Sequence, residues 1–409
     1  MLDIELIRQN PEKVKKGIAN KKINPKLVDD FLNLDAVWRK LTKETDDFRA
    51  NQKILSENRK IEEAKSLKEK IKNNEEKIKT IEKQREEILY LLPNLPFDEV
   101  PVGKDESESQ VLKVWGNIPK FDFEPKDHLE LGEALGIIDT ERASKVSGSR
   151  FGYLKNQAAL LEFALVQFAL DIITKEGFIP IIPPAMIKPE AMRAMGYVER
   201  GGEEIYFLEK DNLYLIGTSE QAVGPMHMDE VFNDVDLPRR YLAFSSCFRR
   251  EAGSYGKDTK GILRLHQFDK VEMFSITTPE DSAKEHKLIL SLEEKLIQGL
   301  NLPYRVLNIC TGDLGDSAAA KYDIEVWLPS QKTYRETHSA SNTTDFQARR
   351  LNIKYKSKDG QKQHVHMLNG TAFAIGRMLI AIMENYQQSD GSILVPKVLQ
   401  KYAGFKTIS

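Results

Sequence analysis

Two apolar runs flank a glycine-rich loop between residues 242 and 274, and this segment restricts the fold more than any other part of the chain. Cys247-Phe248-Arg249-Arg250-Glu251 precedes the loop, and His266-Gln267-Phe268-Asp269-Lys270-Val271-Glu272 follows it. The pattern predicts a strand, a loop and a second strand. The arginines, the aromatic ring and the carboxylates can neutralise a phosphate, stack a base and hold a small polar substrate. The loop itself carries three glycines and three charged residues, of which Lys257 and Lys260 are candidate phosphate contacts: Gly253, Gly256, Lys257, Asp258, Lys260 and Gly261.

This segment resembles motif 2 of the class II aminoacyl-tRNA synthetases, in the version found in seryl-tRNA synthetases. Residues 366–387, with Leu368-Asn369-Gly370-Thr371 and Arg377, resemble motif 3, and residues 160–184 resemble motif 1. Asn369-Gly370 is a turn signal followed by apolar residues at helical spacing, so we expect a strand, a tight turn and a helix that starts near Arg377. In the family, motif 1 carries the dimer interface, and the resemblance therefore implies a homodimer.

The N-terminal part of the chain predicts an antiparallel coiled-coil hairpin at about residues 27–91, because apolar residues recur at alternating steps of four and three. We place its turn near residues 56–61, and a linker rich in proline and glycine follows it. We therefore expect an N-terminal arm with its linker at 1–103 and a catalytic domain at 104–409. The two predicted seams are Leu27, Phe31, Leu34, Trp38, Leu41, Thr45, Phe48, Gln52 and Leu55, and then Ala64, Leu67, Ile71, Asn74, Ile78, Ile81, Arg85 and Ile88.

Periodicity alone favours a dimerisation coiled coil or a spacer for this arm. Its position ahead of the three motifs instead resembles the seryl-tRNA synthetase arrangement, in which the arm binds the long variable arm of the serine tRNA. Lysines outside the seam are candidates for phosphate contacts, although interleaved glutamates would equally suit a solvated helix. These lysines are Lys60, Lys65, Lys68, Lys70, Lys72, Lys77, Lys79 and Lys83.

Bulk composition excludes several other classes of protein. A net charge of -2 over 409 residues gives no overall basic character, so RNA binding has to come from local patches. Cys247 and Cys310 lie far apart without a CxxC, which argues against a disulfide scaffold and against a cysteine zinc site. No signal peptide and no apolar run of about 20 residues is evident, so we expect no membrane span and a cytoplasmic protein. Without a GxGxxG after a strand, the expected fold is α+β, with the antiparallel sheet and flanking helices of class II synthetases.

The resemblance assigns the ATP site residue by residue. Arg249 matches the arginine that contacts the α-phosphate and the attacking carboxylate, and Arg377 matches the one at the γ-phosphate; both count as catalytic. Phe268 would stack on adenine, with Arg264 over its other face. Glu336 and Ser339 would hold Mg²⁺ through ATP, in a segment where Thr337-His338 replaces the common Ile-Ser. The expected ATP-binding set is Arg249, Arg250, Glu251, Arg264, Phe268, Glu336, Thr337, His338, Ser339 and Arg377.

The resemblance also implies a pocket for serine. Thr218-Ser219-Glu220 matches the segment that receives the α-amino group, and Glu272 and Thr371 match the positions that meet the hydroxyl group. A buried carboxylate that needs a donor discriminates strongly against alanine and glycine, which would leave it unpaired. ATP and Mg²⁺ are the expected cofactors, without zinc, since His364-Val365-His366 has too few ligands nearby.

The function that these residues imply is ligation of L-serine to the 3′ end of serine tRNA through a seryl adenylate, with charging of selenocysteine tRNA left open. Two alternatives also stay open at this point. One is an amino acid:carrier protein ligase, although such paralogues lack the long coiled coil. The other is a non-catalytic RNA-binding paralogue with a coiled coil on a synthetase frame.

Overall fold

The computed structural model describes residues 1–252 and 260–409, which fold as two compact units, Met1–Leu95 and Pro96–Ser409. The α-helices are α1 (Ile4–Gln9), α2 (Pro11–Asn20), α3 (Lys26–Glu57), α4 (Ile61–Leu91), α5 (His128–Ala134), α6 (Thr140–Ser147), α7 (Asn156–Ile173), α8 (Pro189–Met195), α9 (Glu220–Val223), α10 (Ser282–Gly299), α11 (Phe346–Leu351), α12 (Ile375–Asn385) and α13 (Gln400–Ala403). The strands are β1 (Gln110–Trp115), β2 (Ile138–Asp139), β3 (Tyr153–Leu154), β4 (Ile179–Ile181), β5 (Met186–Ile187), β6 (Phe207–Leu208), β7 (Leu213–Leu215), β8 (Val231–Asn233), β9 (Arg239–Phe248), β10 (Gln267–Thr277), β11 (Tyr304–Asn308), β12 (Ala320–Leu328), β13 (Thr333–Asn342), β14 (Lys354–Lys356), β15 (Lys362–His364), β16 (His366–Ala374), β17 (Ile393–Leu394) and β18 (Thr407–Ile408).

The first unit contains the predicted helical hairpin, formed by α3 and α4 with a turn at residues 58–60. All positions of the two predicted seams are buried or half-buried, as the heptad pattern requires. Phe31 and Ile71 are among the buried ones. The hairpin therefore follows from the periodicity of its apolar residues.

A buried carboxylate, which the seam did not predict, lies within this unit. Asp35 is fully buried, and its oxygens accept hydrogen bonds from Arg8, Arg39 and Arg85 at 2.9, 3.1 and 2.7 Å. Burial favours the neutral acid, but the hydrogen bond from Arg8 and the charge of Arg85 lower the pKa of Asp35. The cluster joins α1, α3 and α4, and removal of a single partner would leave a buried charge uncompensated.

The second unit is built on an eight-stranded sheet in the order β1-β11-β12-β13-β16-β10-β9-β4. All neighbouring strands are antiparallel except β4, which runs parallel to β9. Helices α7, α10 and α12 pack against this sheet and share one apolar core with it. This is the α+β arrangement expected from the sequence.

The tight turn predicted at Asn369-Gly370 is wrong. Both residues lie inside β16, where they pair with Phe274 and Met273 of β10. A Cβ atom on Gly370 would lie 2.2 Å from Cγ2 of Ile289. Glycine is needed there because α10 packs closely against the strand, and not because the chain turns.

The sequence predicts no membrane span, but one helix is long and apolar enough to be a candidate. Residues 156–176 are long and apolar enough by length and composition, with a mean hydropathy of 1.5. The core helix of a globular protein satisfies the same criterion, and here one side of α7 is buried in the core. Its other side exposes apolar residues, among them Leu160 and Phe163.

Candidate functional site

A cavity of about 860 Å³ lies over β10, β12, β13 and β16 and gathers twelve of the fifteen residues that the sequence assigned to a site. Because side chains alternate along a strand, Phe268 and Glu272 of β10 face this cavity together. Thr371 lies opposite Glu272 on the neighbouring strand. The twelve residues are Thr218, Glu220, Arg249, Glu251, Arg264, Phe268, Glu272, Glu336, Thr337, Ser339, Thr371 and Arg377.

The structure does not bring the other three residues to the cavity wall. The Ser219 hydroxyl lies 2.7 Å from the hydroxyl of Ser245 beneath the wall. The guanidinium of Arg250 donates from Nε to the carbonyl of Ile205 at 3.1 Å. His338 is fully buried, and burial lowers its pKa to about 3, so the ring is neutral. Ser219, Arg250 and His338 therefore contact neighbouring parts of the protein instead of lining the cavity.

Arginine and aromatic side chains meet where β9 ends and β10 begins. The Nε of Arg249 donates to the carbonyl oxygen of Gly217 at 3.1 Å, and its guanidinium lies 5.3 Å from the centroid of the Phe268 ring. The Nη1 of Arg264 donates to Oε2 of Glu251 at 3.2 Å. This end of the cavity therefore offers a flat π face beside cations, which suits a base linked to phosphate.

A second group of charges lies at β12, β13 and the start of α12. Arg377 donates from Nη1 to the backbone carbonyl of Glu336 at 2.8 Å and lies 3.3 Å from its carboxylate. Burial would raise the pKa of Glu336, but the charges of Arg377, Lys321 and Arg249 lower it. Glu336 is therefore an ionised carboxylate among three cations. Arg377 and Lys321 both line the cavity and add positive charge to its wall.

The oxygen atoms beside this wall fit a hard cation. The carboxylate of Glu336 and the hydroxyl of Ser339 both line the cavity. Next to them, Oδ1 of the buried Asp323 has no hydrogen-bond partner among residues 1–252 and 260–409. Carboxylate and hydroxyl oxygens are the ligands that Mg²⁺ prefers, and it takes few of them from protein. The donor set therefore fits Mg²⁺ held together with the phosphates of a nucleotide.

Two buried carboxylates form the deep end of the cavity. Burial raises the pKa of both Glu220 and Glu272. The amide of Gln347, on α11, donates to Oε1 of Glu220 at 2.9 Å, and Tyr197 lies beside the same carboxylate. Glu220 is thus oriented before any ligand arrives, and an ammonium group would satisfy its charge. Thr371 adds a hydroxyl beside Glu272.

Several residues of this site were missed by the sequence analysis. Lys270 and Lys321 both line the cavity, as does Tyr197. For Lys270 a signal was present, because it alternates with Phe268 and Glu272 on one face of the same strand. Gln347 gave no such signal, since a short helix elsewhere in the chain places it against the site.

Most of the glycine-rich loop that opened the sequence analysis lies outside the described residues. This holds for the predicted phosphate contact Lys257 and for Gly253, Gly256 and Asp258. The other predicted phosphate contact, Lys260, is described and is not part of the cavity wall.

Comparison with known proteins agrees with this geometry in both units. Residues 1–96 match the seryl-tRNA synthetase N-terminal domain, and residues 206–386 match the tRNA synthetase class II core domain (G, H, P, S and T). A serine–tRNA ligase from Dictyoglomus thermophilum is 50% identical over 421 residues, covering 100% of this chain and 99% of the relative.

Solved structures extend the likeness to the whole fold. The seryl-tRNA synthetase of Pyrococcus horikoshii complexed with ATP superposes with a TM-score of 0.96 at 42% identity, covering 100% of this chain and 99% of the other. The cytoplasmic serine–tRNA ligase of Naegleria fowleri in complex with AMP gives a TM-score of 0.93 at 36% identity, with the same coverage. The chain therefore belongs to the seryl-tRNA synthetase family, within the class II aminoacyl-tRNA synthetases.

Proposed function

We infer that this chain catalyses the ATP-dependent attachment of L-serine to tRNA through a seryl adenylate. The observation that carries the inference is a single cavity with two chemically different ends. Arg249, Phe268 and Arg377 line the end suited to a nucleotide. Glu220 and Glu272 line the end suited to a small amino acid with an ammonium and a hydroxyl group. Relatives in the family are named serine–tRNA ligases and have been solved with ATP or AMP, which supports the same assignment.

In the first step, a carboxylate oxygen of serine attacks the α-phosphorus of ATP, and the bond to pyrophosphate breaks. Arg249 would neutralise charge on the α-phosphate and the attacking carboxylate, since its planar fork suits both. Arg377 would hold the far end of the triphosphate. The protein contributes mainly by fixing the two substrates in line and by stabilising charge in a site shielded from water.

Mg²⁺ would be held by Glu336 and Ser339, and when bound it would neutralise phosphate charge and orient the leaving pyrophosphate. The side chains of the protein act around it. Arg377 keeps Glu336 ionised through their contact. Glu251 and Arg264 form a pair beside Phe268 that would frame the adenine.

In the second step, a hydroxyl of the 3′-terminal adenosine of the tRNA attacks the carbonyl carbon of the adenylate, an ester forms and AMP leaves. The acceptor end would enter the same cavity. The N-terminal arm, residues 1–103 with its linker, would bind the long variable arm of the serine tRNA. The catalytic domain would occupy residues 104–409.

The working form that we propose is a cytoplasmic homodimer. Leu160 and Phe163 of α7, with Ile179 of β4 and Ile182 after it, expose large apolar side chains in the segment that resembles motif 1. Large apolar side chains that are exposed close together in one segment often mark an interface. A second copy of the chain would cover it.

ATP–pyrophosphate exchange without tRNA tests the proposed function. Purified protein with Mg²⁺ should exchange with serine and show at least about a hundredfold lower kcat/KM with alanine, glycine, cysteine or threonine. Arg249→Ala should lower serine-dependent exchange by about 10²-fold or more, because it removes a charge that stabilises the transition state.

The other outcomes decide between the alternatives. Exchange with a different amino acid would keep the adenylation chemistry and replace the substrate, as for a carrier-protein ligase. Absence of exchange from folded protein would favour the non-catalytic paralogue. Charging of a serine tRNA transcript, followed by acid gel electrophoresis, then identifies the acceptor.

A further inference from the structure

We propose that Lys270 is a positioning residue that sets the serine specificity of the pocket by acting on Glu272 and Thr218. The inference rests on the proposed function, because it assigns Glu272 to the serine hydroxyl and Thr218 to the segment that receives the α-amino group. Lys270 belonged to none of the residue sets predicted from the sequence. Its role follows from its contacts.

The first contact is an ion pair inside the protein. The Nζ atom of Lys270 touches the carboxylate of Glu272, and the side chains of the two residues are only 10% and 1% exposed. A carboxylate this deeply buried needs a counter-charge to stay ionised. Arg249 also lies near, but its Nε is bonded to the carbonyl of Gly217 and its guanidinium faces the ring of Phe268. Lys270 is therefore the cation in contact with Glu272 within the described chain.

The second contact joins two elements. The ammonium group of Lys270 also donates to Oγ1 of Thr218 at 3.2 Å. Thr218 precedes the short helix that carries Glu220, whereas Lys270 and Glu272 lie on β10. One ammonium group thus links the strand that presents Glu272 to the segment that presents Glu220. It sets the separation of the two carboxylates that would read the hydroxyl and ammonium groups of serine.

The charge of Glu272 decides how strongly alanine is rejected. An ionised buried carboxylate that loses its donor is costly, whereas a neutral carboxylic acid without a partner costs less. Oε2 of Glu272 is the oxygen that contacts the ammonium group of Lys270, so the ion pair itself favours the charged form of the carboxylate that would accept the hydroxyl proton of serine. The nearby carboxylate of Glu220 adds negative charge beside Glu272 and favours protonation of Glu272 when Lys270 is absent. Without the ammonium group, the pocket would hold a neutral acid and discriminate poorly.

The test compares serine with alanine in ATP–pyrophosphate exchange. Lys270→Met keeps an unbranched apolar side chain and removes the charge, so it should raise the KM for serine by about tenfold and lower the serine/alanine ratio of kcat/KM by about 10- to 100-fold. Lys270→Arg keeps the charge and should retain much more of the ratio. The control is Lys284→Met, at an exposed lysine of α10, which should leave both quantities unchanged.

A double variant separates action through Glu272 from a general loss of structure. In a Glu272→Gln background the carboxylate is already gone, so adding Lys270→Met should lower the serine/alanine ratio little further. Affinities of seryl- and alanyl-sulfamoyl-adenosine, measured by calorimetry, should show the same pattern without turnover. Should Lys270→Met fail to fold, Lys270→Gln against Lys270→Arg provides the same comparison.

An unchanged serine/alanine ratio in Lys270→Met, or in Lys270→Gln if that variant replaces it, would overturn the inference. An equal fall of kcat for both amino acids with an unchanged KM for serine would also overturn it. Such a result would indicate that the ammonium group of Lys270 acts on ATP and not on serine. Failure of the proposed function looks different. In that case the wild-type protein itself shows no serine-dependent exchange. If only this inference fails, the wild-type protein still exchanges with serine, and only the Lys270 variants behave differently from the prediction.

Discussion

Three buried glutamates lie close to the deep end of the cavity, and each has a different environment. Glu220 accepts a hydrogen bond from Gln347, and Glu272 is paired with Lys270. Glu293 of α10 is fully buried, and neither of its oxygens has a hydrogen bond of good geometry from the described residues. Burial and the nearby charge of Glu272 raise the pKa of Glu293 well above its ordinary value. Burial therefore favours the protonated form of this acid beneath β16.

Glu293→Gln should stabilise the protein increasingly as the pH rises. The folded state keeps the proton of Glu293 at a pH at which the unfolded chain has released it, so the wild-type stability falls as the pH rises from the ordinary value of 4.5 towards the folded pKa. Within that window the loss is at most about 1.4 kcal/mol per pH unit. Urea unfolding of both proteins at pH 5, 6.5 and 8 should show a stability difference that grows with pH.

The exposed Glu133 offers a matched control, Glu133→Gln, which removes a carboxylate from the surface of α5. Its effect on stability should not follow the trend of the Glu293 variant. A constant difference between Glu293→Gln and wild type across the three pH values would show that Glu293 does not carry the proton proposed for it.

Helices and strands of this chain differ in how far the sequence predicts them. The hairpin helices α3 and α4 follow from heptad periodicity, which needs only local information. Asn369-Gly370 has the local signal of a turn, yet the packing of α10 against Gly370 places both residues within a strand. Gln347 reaches Glu220 from a distant segment, and no local pattern encodes such a contact. Lys270 lies within the motif 2 segment, but the family resemblance assigned roles only to Phe268 and Glu272 on either side of it.

The arm presents a stripe of lysines along α4 that can be tested as a unit. Lys68, Lys72, Lys79 and Lys83 are exposed, and none has an ion-pair partner among the described residues. At about 100° per residue they fall within roughly 60° of one another around the helix. Replacing all four with glutamate should raise the KM for serine tRNA by about tenfold or more and reduce its salt dependence, because phosphate contacts are lost.

Lys77 provides the comparison for this element. It is equally exposed, but lies roughly 180° from Lys68 around the same helix. Lys77→Glu should leave the KM for tRNA close to wild type, and neither variant should change serine-dependent exchange, which needs no tRNA. An equal effect of both variants would mean that overall charge, and not this face of the arm, matters for tRNA.

At the scale of the whole molecule, the exposed apolar residues of the motif 1 segment are the feature that an isolated chain leaves unexplained. Phe163 and Ile182 expose 64% and 84% of their surface. Residues of this size contribute strongly when buried, about 1.5–3 kcal/mol each. Helix α7 also packs in the core against β9 and β16, and β16 carries Thr371 of the cavity wall. An interface on α7 would therefore lie on the helix that packs behind the strands of the cavity.

Phe163→Asp combined with Ile182→Asp should therefore convert a homodimer into a monomer, since two charges from each subunit would have to be buried without partners at the interface. Sedimentation velocity at micromolar concentration measures the change directly. Val235→Asp is the control, because Val235 is 89% exposed but lies outside α7 and β4, and this variant should stay dimeric.

If the double variant sediments as the wild type does, the apolar face of α7 is not the interface between subunits. If it becomes monomeric and loses serine-dependent exchange while it remains folded, the cavity depends on the second copy for its support.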